Sequence, residues 1–149
     1  MIPLTIGHSV MTPARTIGEG DVTLFAGLVG DFTPIHVDET FAAASPHRTR
    51  IAHGPLTMAT AIGLATQTGL FGPRVIGMVN INWDLAGVVK LGDTIRARVT
   101  IDALRPTSKP GRNLGTFGFE VLNQRDEIIQ RGRMIVILRA DEDGSGADA

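Results

Sequence analysis

The chain has no cysteine, which excludes a disulfide scaffold, a Cys-ligated zinc site, an iron–sulfur cluster and a thiol nucleophile together. Aromatic side chains are also scarce: no tyrosine, one tryptophan and six phenylalanines among 149 residues. With so few rings and with its arginines scattered, the chain lacks the stacking platform and basic stripe of a nucleic-acid binder. No segment approaches the ~18 unbroken apolar residues that a membrane span needs. The start, Met-Ile-Pro-Leu-Thr, has no basic region followed by an apolar run. These absences predict a cytoplasmic protein without a membrane or nucleic-acid partner.

What is present suits one domain with a real core. Apolar residues make up 43% of the chain and charged residues 19%, with a formal charge of -1. The charge is unevenly placed. Residues 140–149 hold four acids and no base, leaving eleven acids against fourteen bases elsewhere. The expected division is a single domain over 1–139 and an acidic, disordered tail over 140–149.

The two halves differ in texture. Asp21 is placed to cap a short helix with Val22, Phe25, Leu28 and Val29 on one face and Gly30 at its end. Residues 40–44 add a further turn before Ser45-Pro46. The clearest helix opens at Gly54-Pro55 and runs to about Gly69, apolar on nearly every side and so expected to be buried. From residue 75 the period becomes two. In residues 94–104, Ile95, Ala97, Val99, Ile101 and Ala103 alternate with Arg96, Arg98, Thr100 and Asp102. Phe117, Phe119 and Val121 repeat the pattern, residues 123–126 make a turn, and residues 128–138 return. Residues 75–85, with Trp83, supply a fourth strand, and residues 2–17 are available for a fifth. Helices followed by strands predict an α+β fold, an antiparallel sheet wrapped about a buried helix.

Chemistry concentrates in two stretches. In Gly-Asp-Phe-Thr-Pro-Ile-His, residues 30–36, Pro34 forbids continuous helix, which places Asp31 and His36 on a constrained loop. A carboxylate and an imidazole so held can converge on one water. The same spacing also fits a carboxylate capping local N–H groups beside a satisfied loop histidine, so the residues alone leave both roles open. In Ile-Ala-His-Gly-Pro, residues 51–55, a helix N-terminus offers free N–H groups and partial positive charge to a carbonyl oxygen that gains charge, and Gly54 leaves the approach clear. Close packing of helix on sheet would also call for that glycine. His8 and His47 have no partner at ligand spacing, so no metal site is read. Trp83, Met58 and Ile62 read as core residues that can also border a pocket.

Taken together, Phe-Ala-Gly-Leu-Val-Gly-Asp-Phe-Thr-Pro-Ile-His over 25–36 and Ile-Ala-His-Gly over 51–54 resemble the hydratase motif of the MaoC-like dehydratases, particularly the (R)-specific enoyl-CoA hydratases. Leu-Gly-Asp-Thr over 91–94 is similar to that family's usual strand start. The resemblance covers about residues 10–138. It implies a hot-dog fold, a homodimer with its active site at the subunit interface, and reversible addition of water across the 2,3 double bond of an enoyl-CoA to give a 3-hydroxyacyl-CoA of (R) configuration. It implies catalytic roles for Asp31 and His36 on the water, and an N–H from Gly54 to the thioester oxygen, with Thr33 and His53 on the substrate side and no cofactor. His53 could also bond the active-site loop, but the residues themselves favour a structural role for it at the helix start. A hot-dog acyl-CoA thioesterase and a non-catalytic acyl-CoA-binding subunit are the alternatives. Three positions depart from the family pattern. Thr33 stands where Asn is usual, Pro55 replaces a bulky apolar residue, and the helix stretch that usually carries an orienting serine offers Thr57, Thr60 and Ile62.

Overall fold

The computed structural model describes residues 2–140. Its order is β1 (Ser9–Met11), β2 (Arg15–Thr16), α1 (Glu19–Val29), α2 (Pro34–Val37), α3 (Glu39–Ala43), α4 (Gly54–Thr66), a 3-10 turn (Gly72–Arg74), β3 (Val75–Leu85), β4 (Thr94–Pro106), β5 (Arg112–Leu122) and β6 (Ile128–Arg139). All pairing is antiparallel, in the order β1-β4-β5-β6-β3, with β2 also on β4. The α+β expectation holds: one sheet curls around α4.

The sheet follows the period-two pattern. Ile95, Ala97, Val99 and Ile101 of β4 face inward with Phe117, Phe119 and Val121 of β5 and Met134, Val136 and Leu138 of β6. A bulge after Ile101 shifts the register before Ala103, which is only half-buried. The expected N-terminal strand is split in two because Pro13 has no N–H to give. Thr12 bridges the break: its N–H donates to the Ala97 carbonyl at 2.9 Å and its hydroxyl accepts the Ala97 N–H at 2.9 Å.

The helices correct two expectations. The N-cap of α1 is Gly18, and Asp21 acts from the first turn, accepting the Gly18 N–H at 2.9 Å. Gly30 ends the helix at φ 78°, as its lack of Cβ allows. The buried stripe is Val22 and Ala26, while Leu28 is 79% exposed and Val29 is exposed as well. A short helix lying on the domain by one narrow i, i+4 row buries only that row. In α4, Leu56, Thr57, Ala61, Leu64 and Ala65 are buried, but Pro55, Ala59, Gly63 and Thr66 form an exposed row. The sheet covers one side of the helix only.

The apolar stretch 135–138 lies in β6, an interior strand whose Ile135 and Ile137 are half-buried. The open apolar edge is β3, where Val75, Ile76, Met78 and Val79 are exposed. Of the expected tail, Ala140 is described, its N–H donating to the Gly111 carbonyl at 3.0 Å. Residues 141–149 lie outside the described residues. Among the described residues, no helix is long and apolar enough to cross a membrane.

Candidate active site

Asp31 lies just past the left-handed turn at Gly30, and its carboxylate closes a local ring. Oδ1 accepts the Thr33 N–H at 3.1 Å and the Thr33 hydroxyl at 2.6 Å. These bonds hold the Asp31 carboxyl below the usual carboxylate range, an effect to which the nearby imidazoles of His53 and His36 add. The local-cap role that the spacing allowed is therefore real for Oδ1. It leaves Oδ2 free, on a side chain 45% exposed.

His36 corrects the expectation of a loop residue. Pro34, at the first helical position, begins the four-residue turn α2, and His36 is its third residue. Its Nδ1 lies 2.7 Å from the Ile51 carbonyl. A carbonyl only accepts, so Nδ1 carries the proton and Nε2 keeps its lone pair. His53 is 1% exposed and stacks on His36 with centroids 3.9 Å apart and planes at 28°. Its Nε2 donates to the Asp31 backbone carbonyl at 3.0 Å and lies 3.9 Å from Asp31 Oδ2. The structural role considered for His53 is the one its contacts support: it is the N-cap residue of α4 and it bonds the Asp31 loop. Thr33 and His53 spend these donors on Asp31, so neither presents them to a substrate.

One side-chain atom from each of Asp31, His36 and His53 lies within 4.8 Å of the others, close enough for a metal to be considered. The donor set does not fit one. Nδ1 of His36 and Nε2 of His53 are committed to backbone carbonyls, His53 Nδ1 is fully buried, and near-parallel stacked rings do not aim their in-plane lone pairs at a common point. A water needs less. Two hydrogen bonds of about 2.8 Å each span the distance between Asp31 and His36 with room to spare.

A cavity of about 230 Å³ opens beside His36 at the start of α4, with Gly54, Thr57, Leu85, Val88 and Gln130 among its walls. Asp31 is not one of them; one of its side-chain atoms lies within 4.8 Å of His36, which is. Gly54 is the first helical residue, its N–H is an end group with no intrahelical partner, and it finds no acceptor among the described residues. Packing also favours this glycine, since a Cβ there would lie 2.5 Å from Leu85 Cδ1 and the exposed leucine side chain would have to move aside. Of the three helix positions considered for an orienting side chain, Thr57 is buried on the cavity wall, whereas the Thr60 hydroxyl donates to the Leu56 carbonyl at 2.8 Å. Sequence reasoning missed Ile51, whose carbonyl sets the His36 tautomer, and Gln130. Ile51 acts through its backbone and leaves no side-chain signal; Gln130 was visible only as an amide in an apolar strand.

An antiparallel sheet around one helix, with an Asp–His pair at that helix's N-terminus, defines a hot-dog domain of the hydratase type. The chain belongs to the MaoC like domain family, whose profile matches residues 3–113. It is 44% identical over 96 residues to an (R)-specific enoyl-CoA hydratase of Rhodospirillum rubrum, a match that spans 64% of this chain and 65% of that protein, just under two thirds. It is 30% identical over 139 residues to the (R)-specific enoyl-CoA hydratase of Aeromonas caviae, covering 91% and 96% of the two chains. The solved (R)-hydratase from A. caviae superposes with a TM-score of 0.77 at 27% identity, covering 89% of this chain and 96% of that one. A structure described as a monoamine oxidase regulatory protein from Archaeoglobus fulgidus gives a TM-score of 0.85 at 29% identity, covering 91% of each chain.

Proposed function

We propose that this chain is a hydro-lyase adding water reversibly across the 2,3 double bond of an enoyl-CoA thioester, giving a 3-hydroxyacyl-CoA of (R) configuration. The observation that carries the reading is the meeting, at one helix start, of an ionised carboxylate, a histidine with its Nε2 lone pair free and an unpartnered glycine N–H. Relatives named as (R)-specific enoyl-CoA hydratases support it.

In this mechanism the thioester oxygen accepts the Gly54 N–H and gains from the positive end of α4, which draws electron density from C3. Asp31 and His36 hold the water between them. As its oxygen bonds to C3, the pair takes up one of its protons, and negative charge moves through C2 to the thioester oxygen. A proton from the pair then reaches C2, so H and OH have been added overall and no other reactant is consumed. Thr33 and His53 hold the Asp31 loop.

The reading extends to assembly. Residues 1–139 act as one domain, and a second copy pairs along the exposed apolar edge of β3 and closes the open side of the site. A monomer by light scattering at micromolar concentration contradicts this part. Absence of cysteine suits the cytoplasm as the compartment.

The test is Asp31→Asn and His36→Ala, each assayed on a short enoyl-CoA by loss of the enoyl absorbance. Each lowers kcat by roughly 10²–10⁴, the usual worth of a positioned acid or base. The double variant is scarcely worse than the singles, because the two groups share one water. Thermal stability changes little. Full turnover by either folded variant overturns the mechanism, and release of free thiol in place of hydration makes the protein a thioesterase.

A further inference from the structure

Gln130 is 1% exposed in a strand whose other inward side chains, Met134, Val136 and Leu138, are apolar. Burying an amide is costly unless both its ends are bonded, and both are. Its Oε1 accepts the Trp83 indole N–H at 2.9 Å, and its Nε2 donates to the Gly54 carbonyl at 3.2 Å. An indole N–H only donates and a carbonyl only accepts, so a single orientation of the amide satisfies both partners. Trp83 is itself fixed, since its ring fills the space above its cross-strand partner Gly132, where a Cβ would lie 1.9 Å from the ring. Leu85, the cross-strand partner of Gln130, presses its methyl group on Gly54 from the sheet.

Gly54 needs such an anchor. It precedes Pro55, and a residue before proline is pushed away from helical geometry toward an extended one. With no Cβ it is also the residue whose backbone swings most freely. Yet it opens α4, and the reaction depends on where its N–H points.

We infer that Gln130 is a positioning residue of the hydratase: held by Trp83, it pins the Gly54 carbonyl and thereby aims the Gly54 N–H at the thioester oxygen. The inference rests on the reading of Gly54 given under Proposed function. A donor aimed in advance acts when charge builds on that oxygen, so its misalignment lowers kcat more than it raises KM.

The experiment compares the full-length protein with Gln130→Met and Trp83→Phe. Methionine keeps the length and removes both bonds; phenylalanine keeps a ring and removes only the donor that orients the amide. Folding and assembly are checked by circular dichroism and light scattering, and hydration of crotonyl-CoA gives kcat and KM. The second readout is the infrared carbonyl band of bound butyryl-CoA carrying ¹³C at the thioester carbon, an unreactive thioester whose band moves to lower frequency when an N–H bonds its oxygen. Expected are a roughly tenfold loss of kcat in Gln130→Met with KM within about twofold, a smaller loss in Trp83→Phe, and a band returned toward its solution position in both. Folded variants with wild-type kcat and an unshifted band overturn the inference. Asp31→Asn separates this from the underlying reading, because it stops turnover while leaving the carbonyl band at the wild-type position. A wild-type protein that binds crotonyl-CoA without hydrating it overturns the reading of the site, and the inference with it.

Discussion

The sheet of β4, β5 and β6 and the segment from α1 to the start of α4 are held in place by different forces. The sheet has long continuous ladders and a closed apolar inner face. The segment that carries Asp31 and His36 exposes Leu24, Leu28, Phe32 and Phe41, and its buried side chains are the small Val22, Ala26, Ala42 and Ala52 and the polar His53. It is tied down by polar contacts instead: His36 to Ile51, His53 to Asp31, and Arg50 to both Glu19 and Glu39. Area burial is tolerant of small displacements, whereas hydrogen bonds fix angles and distances. The apolar face of the sheet therefore supplies stability, while the hydrogen-bonded groups, the polar segment together with Gln130 of β6, supply aim, and a change in each should damage a different observable.

Phe117→Ala tests the sheet side and has the largest expected effect. Phe117 is fully buried, with its ring centroid 4.7 Å from that of Phe71. Truncation costs about 3–5 kcal/mol, visible as a steep fall in melting temperature. Per folded molecule, hydration should stay near wild type, since Phe117 does not line the cavity beside His36. Activity lost without unfolding would show that the apolar face also aims the site, and the division would fail.

Arg50→Met probes the polar side. Arg50 donates through Nε to Glu39 at 2.9 Å and through Nη2 to Glu19 at 2.6 Å, and it immediately precedes Ile51, the acceptor of His36. Its hydrogen bonds hold both glutamate carboxyls below their ordinary value of 4.5, and the two carboxylates in turn raise the guanidinium. A lowered carboxyl pKa stabilises the fold above the ordinary value and loses that contribution as pH falls through the folded one. Both glutamates are open to solvent, so the effect on melting temperature at pH 7 is small, roughly 1–3 °C. That difference from wild type should shrink as the pH drops below 4.5. Turnover at pH 7 should fall by roughly two- to tenfold through displaced His36, a larger effect than the stability change implies. A difference that widens in acid would contradict this assignment of the ion pairs.

The same contrast decides what was legible in the sequence. Alternation announces β4 and β5 because each inward residue stands two positions from the next, and Gly54-Pro55 announces α4 for an equally local reason. The family motif brought Asp31, His36 and Gly54 together before any coordinate did. What stayed hidden links residues far apart: His36 to Ile51 across 15 positions, His53 to Asp31 across 22, Gln130 to Gly54 across 76. Such bonds leave no period. The narrow buried stripe of α1 was misread because four apolar residues suggested a wide face, while the fold gives that helix only one row to rest on. The open edge at β3 leaves no mark of its own, because being apolar on both faces fits an interior strand such as β6 as readily as an edge that pairs with a partner.

The smallest expected effect lies at the C-terminal end. Removing residues 141–149 takes away four acids and no base. The last ladder pairing joins Arg139 to Arg112, and the Ala140 N–H is already bonded to Gly111, so the cut spares every described contact of β6. A segment of Asp, Glu, Gly, Ser and Ala has no large apolar side chain with which to fill a pocket. Melting temperature, kcat and KM for crotonyl-CoA should therefore match those of the full chain within error at 150 mM salt. At low ionic strength, where charges act over roughly 30 Å, the loss of four negative charges should if anything lower KM for the polyanionic coenzyme A ester. A fall in kcat with folding intact would place these residues in the site and end the view that the hydrogen-bonded groups around the start of α4 do the aiming.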